Sequence, residues 1–335
     1  FGLAALAAIY GQQESELEPR LRALTKGELR EISVDPASPE RGHYGFVQSV
    51  IREVAYDTLS RRDRRARHLA AARYFEGQGD ELAGVLSTHY LAAYEATDPG
   101  PEADALRIQA RLALRGAAER AMALGAAGQA QVLLRTALEI TEDAAERADL
   151  LERTALAAVT EGRYEEAETA GAEAIAAYQE AGDHTGAARM SALQGGILTD
   201  ASKLTETVAF LEGALRQVDR SEDAEYRADM LARLSRAHMR LGEPEQSIAR
   251  ADEALAIAEP GRYRRIIAEA FVNKAAALGA RQRIEEPVIL MRAAIEIAHE
   301  LGDITLELRA RNNLGAVLGA EDSDAALRVA REAYE

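Results

Sequence analysis

The chain of 335 residues carries 56 acidic and 40 basic side chains, a formal charge of −16, and no cysteine, which excludes disulfides, thiolate catalysis and Cys-type zinc sites. Aromatic residues are 5%, tryptophan is missing and alanine abounds, a balance that suits close-packed helices and predicts an all-α fold. No apolar run approaches the roughly 18 residues a membrane span needs, and nothing resembles a signal peptide, so a reducing cytoplasm is the expected location.

Phe1 stands inside an apolar helical pattern without a methionine before it, so the chain reads as part of a longer polypeptide. Leu3 to Ile9 and Glu16 to Arg30 read as helices. Glu31 to Val34 and Tyr44 to Val47 read as two short strands around a Pro/Gly-rich turn from Asp35 to Gly42. Gln48 to Tyr56 is an amphipathic helix, Ser60 is the N-cap of a helix from Arg61 to about Glu76, and a further helix fits Glu81 to Ala96. Helix, helix, hairpin is the order in which a winged helix ends, so residues 1–60 are expected to be winged-helix-like and residues 61–103 a helical junction.

The segment Tyr44 to Tyr56, followed by Arg61-Arg62-Asp63-Arg64-Arg65-Ala66-Arg67-His68-Leu69, is similar to the junction between winged helix and repeats in bacterial STAND-type signal-transduction ATPases. That resemblance implies a P-loop ATPase and an output domain upstream in the same chain, with the array as sensor. Relatives commonly carry histidine at the position of Gln48, which puts nucleotide sensing by this module in doubt.

From residue 104 a forty-residue period takes over. Small residues stand at Ala155, Gly195, Ser235, Ala275 and Gly315, and a second series runs Ala174, Ala214, Ala254 and Ala294, with Ala137 slightly closer. Two small-residue sites per period mean two helices per unit, each hairpin burying its faces against its neighbours. Turn signals separate the helices at Gly162, Leu241-Gly242-Glu243-Pro244 and Leu124-Gly125. Those between units fall at Gly182, Glu259-Pro260-Gly261 and Gly302.

Gly162-Arg163-Tyr164-Glu165-Glu166-Ala167 followed by Ala174 resembles the tetratricopeptide signature, although the period exceeds the family's usual length and the proline that ends its second helix is mostly missing. The resemblance implies an array of about six units over residues 104–335, wound as a right-handed α-α superhelix. HEAT-like or armadillo-like solenoids are the rival reading.

The residues up to Thr97 include 12 basic and 14 acidic side chains, against 28 and 42 beyond, so the array carries the acid. This argues against nucleic acid and favours basic or neutral partners. The one basic patch, Arg61, Arg62, Arg64, Arg65 and Arg67, invites a DNA reading beside a winged helix. It follows the wing and lacks interleaved stacking aromatics, so docking onto an acidic array or an upstream domain is preferred.

No phosphate loop, dinucleotide fingerprint or Gly-x-Ser-x-Gly occurs, and His43, His68, His89, His184, His238 and His299 show no metal-ligand spacing. The stretch is expected to be non-catalytic, without cofactor or metal. It would be a sensor or scaffold binding a peptide, a protein or a small effector, with self-association left open. In tetratricopeptide arrays the first helix of each pair lines a concave groove. The resemblance therefore points to Glu152 and Leu156, Arg189 and Gly196, Asp229 and Arg236, Glu269 and Asn273, and Arg309 and Asn312, with Asn313 beside them. The arginines suit a ligand carboxylate, and the asparagines, mediocre helix formers, suit a ligand backbone.

Overall fold

The computed structural model describes residues 1–25, 27, 29–31, 43–218 and 223–319. They divide into two compact units, Phe1–Glu142 and Asp143–Glu335. Among the described residues no helix is long and apolar enough to cross a membrane.

In the first unit, α1 (Leu3–Tyr10) and α2 (Glu14–Leu24) precede two short strands, β1 (Leu29–Glu31) and β2 (Tyr44–Phe46), paired antiparallel with Leu29 opposite Phe46. The start of the chain adds to this ladder. The Phe1 amino group donates to the Tyr44 carbonyl at 2.9 Å, the Tyr44 N–H donates back at 2.8 Å, and Gly2 bridges to His43. Leu21, Leu29 and Tyr44 form a small core with Leu3, Leu6 and Phe46 packed around it.

The second helix stops six residues short of the expected Arg30. Thr25 turns its hydroxyl back onto the Arg22 carbonyl at 2.8 Å, and the ladder opposite Phe46 claims Leu29. The first strand consequently begins at Leu29. The expected continuation through Val34 and the turn from Asp35 to Gly42 lie outside the described residues.

Then come α3 (Ser49–Asp57), α4 (Arg61–Glu76), a 3-10 turn (Asp80–Leu82), α5 (Ala83–Glu95), α6 (Pro101–Ala123) and α7 (Ala127–Glu139). Helix α3 is amphipathic, as its sequence predicts, yet it buries no residue. Ser60 caps α4, its hydroxyl oxygen accepting the Asp63 N–H at 3.1 Å. Tyr90 and Ala93 of α5 meet Ala72 of α4 and Leu106 and Ala110 of α6 in a second core.

The second unit is helical hairpins throughout its described part: α8 (Ala144–Thr160) with α9 (Tyr164–Glu180), α10 (His184–Asp200) with α11 (Leu204–Gln217), α12 (Ala224–Leu241) with α13 (Pro244–Gly261), and α14 (Arg264–Ala280) with α15 (Glu285–Leu301). Helix α16 (Ile304–Gly319) follows. The small residues of the forty-residue series stand where helices touch. Ala155, Ser235 and Ala275 are fully buried, and the Ser235 hydroxyl donates to the Ser247 carbonyl of its partner helix at 2.8 Å. Backbones of successive first helices approach one another, α10 to α12, α12 to α14 and α14 to α16, more closely than those of any two second helices described. The first helices therefore form the inner layer and the second helices the outer one.

The expected break at Glu259-Pro260-Gly261 comes later. Helix α13 runs through Pro260, and Arg262 takes the left-handed conformation at φ 55°. The Tyr263 ring lies over the Gly261 backbone, where an added Cβ would meet it at 2.4 Å, so glycine is needed there for contact and the turn falls to its neighbour.

A Cβ on Gly195 would stand 2.5 Å from the nearest methyl of fully buried Leu211, whereas one on Gly213 would have only the far end of Arg216, at 3.8 Å. Both glycines are helical, and alanine is the better helix former by about 1 kcal/mol. Opposite signs are expected: Gly213→Ala raises the denaturation midpoint of the second unit, while Gly195→Ala lowers it by an overpacking cost of about 1–3 kcal/mol. Urea titration of the two variants measures both.

Candidate functional site: the inner helical face

One turn into each inner helix, forty residues apart, stand Asp149, Arg189, Asp229, Glu269 and Arg309. At the α8 end the arginine is chelated. Arg189 donates through Nε to Glu152 Oε1 at 3.1 Å and through Nη2 to Oε2 at 2.7 Å, and the Tyr178 hydroxyl donates to the same carboxylate at 2.6 Å. Burial, then the Glu152 hydrogen bond, raises the Tyr178 pKa, and the Glu152 hydrogen bond raises that of Arg189.

Further along, charges crowd together. Arg233, one turn after Asp229 on α12, stands 3.1 Å from it, and Arg265 stands 3.1 Å from Glu269 and 3.1 Å from Asp303. Gly196 of α10 makes room for this cluster, since a Cβ there would lie 2.1 Å from the Arg233 guanidinium. Burial pushes the Asp229 carboxyl up despite Arg233. Burial acts the same way on Glu269, but Arg233, Arg265, Arg309 and Arg236 outweigh it and hold that carboxyl low. For Arg309 burial is the largest influence and lowers the pKa; Glu269 opposes it, and Arg236, Arg265 and Arg233 add to it.

Each residue expected in the groove has a definite place. Arg236 donates to Asp200 of α10 at 3.1 Å. Leu156 keeps 41% of its surface exposed. Asn273 is buried and donates its amide to the Ala232 carbonyl of α12 at 2.9 Å, which ties two inner helices together. Arg309 stands 3.9 Å from Glu269, and its Nε and Nη2 are buried without a hydrogen-bond partner among the described residues. Asn312 is exposed. Asn313 is half-buried and lines a cleft of about 580 Å³ with Gly279, Arg283 and Val317. Sequence reasoning missed Arg233 and Arg265; the signal for Arg233 was its spacing, four residues after Asp229 on one helix face.

The arginines of α4 belong to the first unit, where they clamp neighbouring elements. Arg61 reaches Asp98 at 3.0 Å, Arg64 reaches Asp57 at 3.1 Å and lies over the Tyr56 ring, Arg65 reaches Glu102 at 2.6 Å, and Arg67 lies over the Tyr10 ring at 4.1 Å. Arg62 is exposed.

Two of the scattered histidines meet. His68 Nδ1 lies 2.9 Å from His89 Nδ1, the Tyr56 hydroxyl lies 2.9 Å from His68 Nε2, and Phe75 stacks on His89. Burial, with His89 alongside, pushes His68 down to about 4, and burial lowers His89 as well.

The sequence matches no family profile and no curated protein. Solved structures do resemble it. The apo form of RapI aligns with a TM-score of 0.56 at 14% identity, over 67% of this chain and 81% of that one. A Rap conjugation gene regulator of the plasmid pLS20, in complex with the Phr* peptide, aligns at 0.54 and 12% identity, over 84% and 81%. A STAND protein with a tetratricopeptide repeat sensor from Pyrococcus horikoshii aligns at 0.52 and 14% identity, over 99% of this chain and 53% of that one. The likeness is one of fold. The chain is built of tetratricopeptide-like helical repeats.

Two expectations follow. Asn273→Ala removes the amide's bond to the Ala232 carbonyl, which keeps its intrahelical donor, and destabilises the second unit by about 0.5–1.5 kcal/mol in denaturant titration. For the histidines, the folded state resists a proton that the unfolded state accepts near pH 6.5, so their contribution is intact above that pH and is lost as the pH falls toward 4. Thermal melts from pH 7.5 to 4.5 should therefore show a smaller acid-induced fall for the His68→Gln, His89→Gln double variant than for the unsubstituted chain.

Proposed function

We propose that the second unit is a binding array for a peptide or an extended protein segment laid along its inner helices. The chain would then be the sensor region of a bacterial signal-transduction ATPase regulator, with ATPase and output domain upstream and the first unit as its winged-helix-like junction. The observation that carries the reading is the inner face itself. It presents part-exposed arginines, Arg189 at 42%, Arg236 at 30%, Arg265 at 52% and Arg309 at 24% side-chain exposure, where a purely structural layer would be apolar.

The pLS20 regulator of like fold holds a peptide, which supports a peptide as the occupant here. The STAND protein, whose length this chain half spans, supports the sensor role. A passive scaffold would use the same face without a switch. DNA binding through α4 is the weaker reading, because Arg61, Arg64, Arg65 and Arg67 are engaged within the unit by acids or aromatic rings.

Panning the immobilised chain against a random peptide library tests the groove. Specific enrichment is expected, reduced at least tenfold in the Arg236→Ala, Arg309→Ala double variant, on the basis that a hydrogen bond to a charged group contributes about 1.5–3 kcal/mol. Enrichment untouched by the double variant would move the site off this face, and no enrichment would sink the peptide reading.

A further inference from the structure

Four inner helices of the second unit are preceded by an aspartate in the same forty-residue register: Asp143 before α8, Asp183 before α10, Asp223 before α12 and Asp303 before α16. At three of them the carboxylate caps the helix it opens. Asp143 Oδ1 accepts the Glu146 N–H at 2.9 Å, Asp183 Oδ1 the Gly186 N–H at 2.7 Å, and Asp303 Oδ1 the Leu306 N–H at 3.0 Å. Asp223 makes no such bond to α12. Its Oδ1 accepts the Thr185 hydroxyl of α10 at 2.8 Å instead, so this aspartate alone of the four gives up the stabilising cap.

The diverted carboxylate lies in a cleft of about 330 Å³, where the ends of α9 and α11 meet the starts of α10 and α12. Asp223 is 4% exposed, yet no cationic side chain pairs with it and no donor reaches Oδ2 among the described residues. A buried carboxylate held by one neutral hydroxyl still calls for positive charge. Ala187, Ala188, Ala214 and Val218 give the cleft an apolar wall, no lysine or arginine lines it, and His184, its other titratable side chain, is exposed. The cleft is far roomier than a bare ion needs, and among the described residues no three histidine or acidic side chains converge as a metal site would require. The acid excess beyond Thr97 draws cations toward this part of the chain.

We propose that this cleft is a site for a small organic cation, a primary ammonium on a short alkyl chain. The ammonium donates to Asp223 Oδ2, and the alkyl chain lies against the three alanines and Val218. The site is lined by neither Arg236 nor Arg309, so it stands whether or not a peptide occupies the inner face. Its walls come from three successive hairpins, so an occupant holds them together and raises the melting temperature.

The test titrates n-pentylammonium chloride into the whole chain at constant ionic strength, with binding read by calorimetry and stability by thermal melting. Saturable binding that raises the melting temperature is expected. It should weaken at least tenfold, about 1.4 kcal/mol, in Asp223→Asn, which keeps an oxygen to accept the Thr185 hydroxyl. On the unsubstituted chain, 1-pentanol, which lacks the charge, and methylammonium, which lacks the chain, should each bind at least tenfold more weakly. These two comparisons hold even if the variant does not fold. No saturable binding of pentylammonium overturns the site, as does binding undiminished in a folded Asp223→Asn. Equal binding of 1-pentanol reduces the cleft to an apolar hole, and equal binding of methylammonium reduces the effect to general charge; either overturns the assignment. Tighter saturable binding of magnesium or calcium chloride that Asp223→Asn abolishes overturns the organic ligand in favour of a metal ion.

Discussion

Everything in the second unit depends on how closely the two helices of each hairpin can approach. Gly195 lies against Leu211 and Ser235 against Ser247 of the partner helix, and a larger side chain at either would force the hairpin open. Between hairpins, Asn273 donates to the Ala232 carbonyl and the Arg240 guanidinium to the Thr199 carbonyl, each reaching the helix forty-one residues earlier. Polar side chains here bond to helix backbone, an arrangement that needs both the short crossing and exclusion of water. The small residues close each hairpin, and the polar ladder ties one hairpin to the next.

The ladder is retained at some cost. Burying Glu269, and most of Asp229, Arg233 and Arg309, takes charge out of water, and ion pairs in such surroundings often return no more than the desolvation they cost. Apolar residues of similar volume would hold the hairpins at least as firmly. The pairing is uneven along the face: Arg189 holds one carboxylate through two nitrogens, whereas Nε and Nη2 of Arg309 have no hydrogen-bond partner among the described residues.

The hairpin architecture was legible because small-residue sites repeat with a constant period and glycines mark the turns, both local signals in the chain. The Ser60 cap was legible for the same reason. What escaped was set by partners distant in sequence. Leu29 leaves the expected second helix because Phe46 pairs with it. Pro260 is tolerated in the last turn of α13, and the left-handed residue moves to Arg262 because Tyr263 covers Gly261. Of the candidate site, Asp229, Glu269 and Arg309 share the forty-residue register, and the structure brings them into one charged cluster. That Asn273 would spend its amide on a neighbouring helix could not be read from its own surroundings, nor could the meeting of His68 and His89 across twenty-one residues.

The hairpins share a length and a crossing, yet they do not share a charge at the ladder position, which runs Asp, Arg, Asp, Glu, Arg. Arrays of this kind lengthen by copying a repeat in place, and here that route is constrained. An extra copy of the α14–α15 hairpin would carry a second glutamate with its own copy of Arg265, but away from α12, whose Arg233 and Arg236 help hold the Glu269 carboxyl low. Each hairpin is therefore fitted to its own place in the order by the charges of the hairpins on either side.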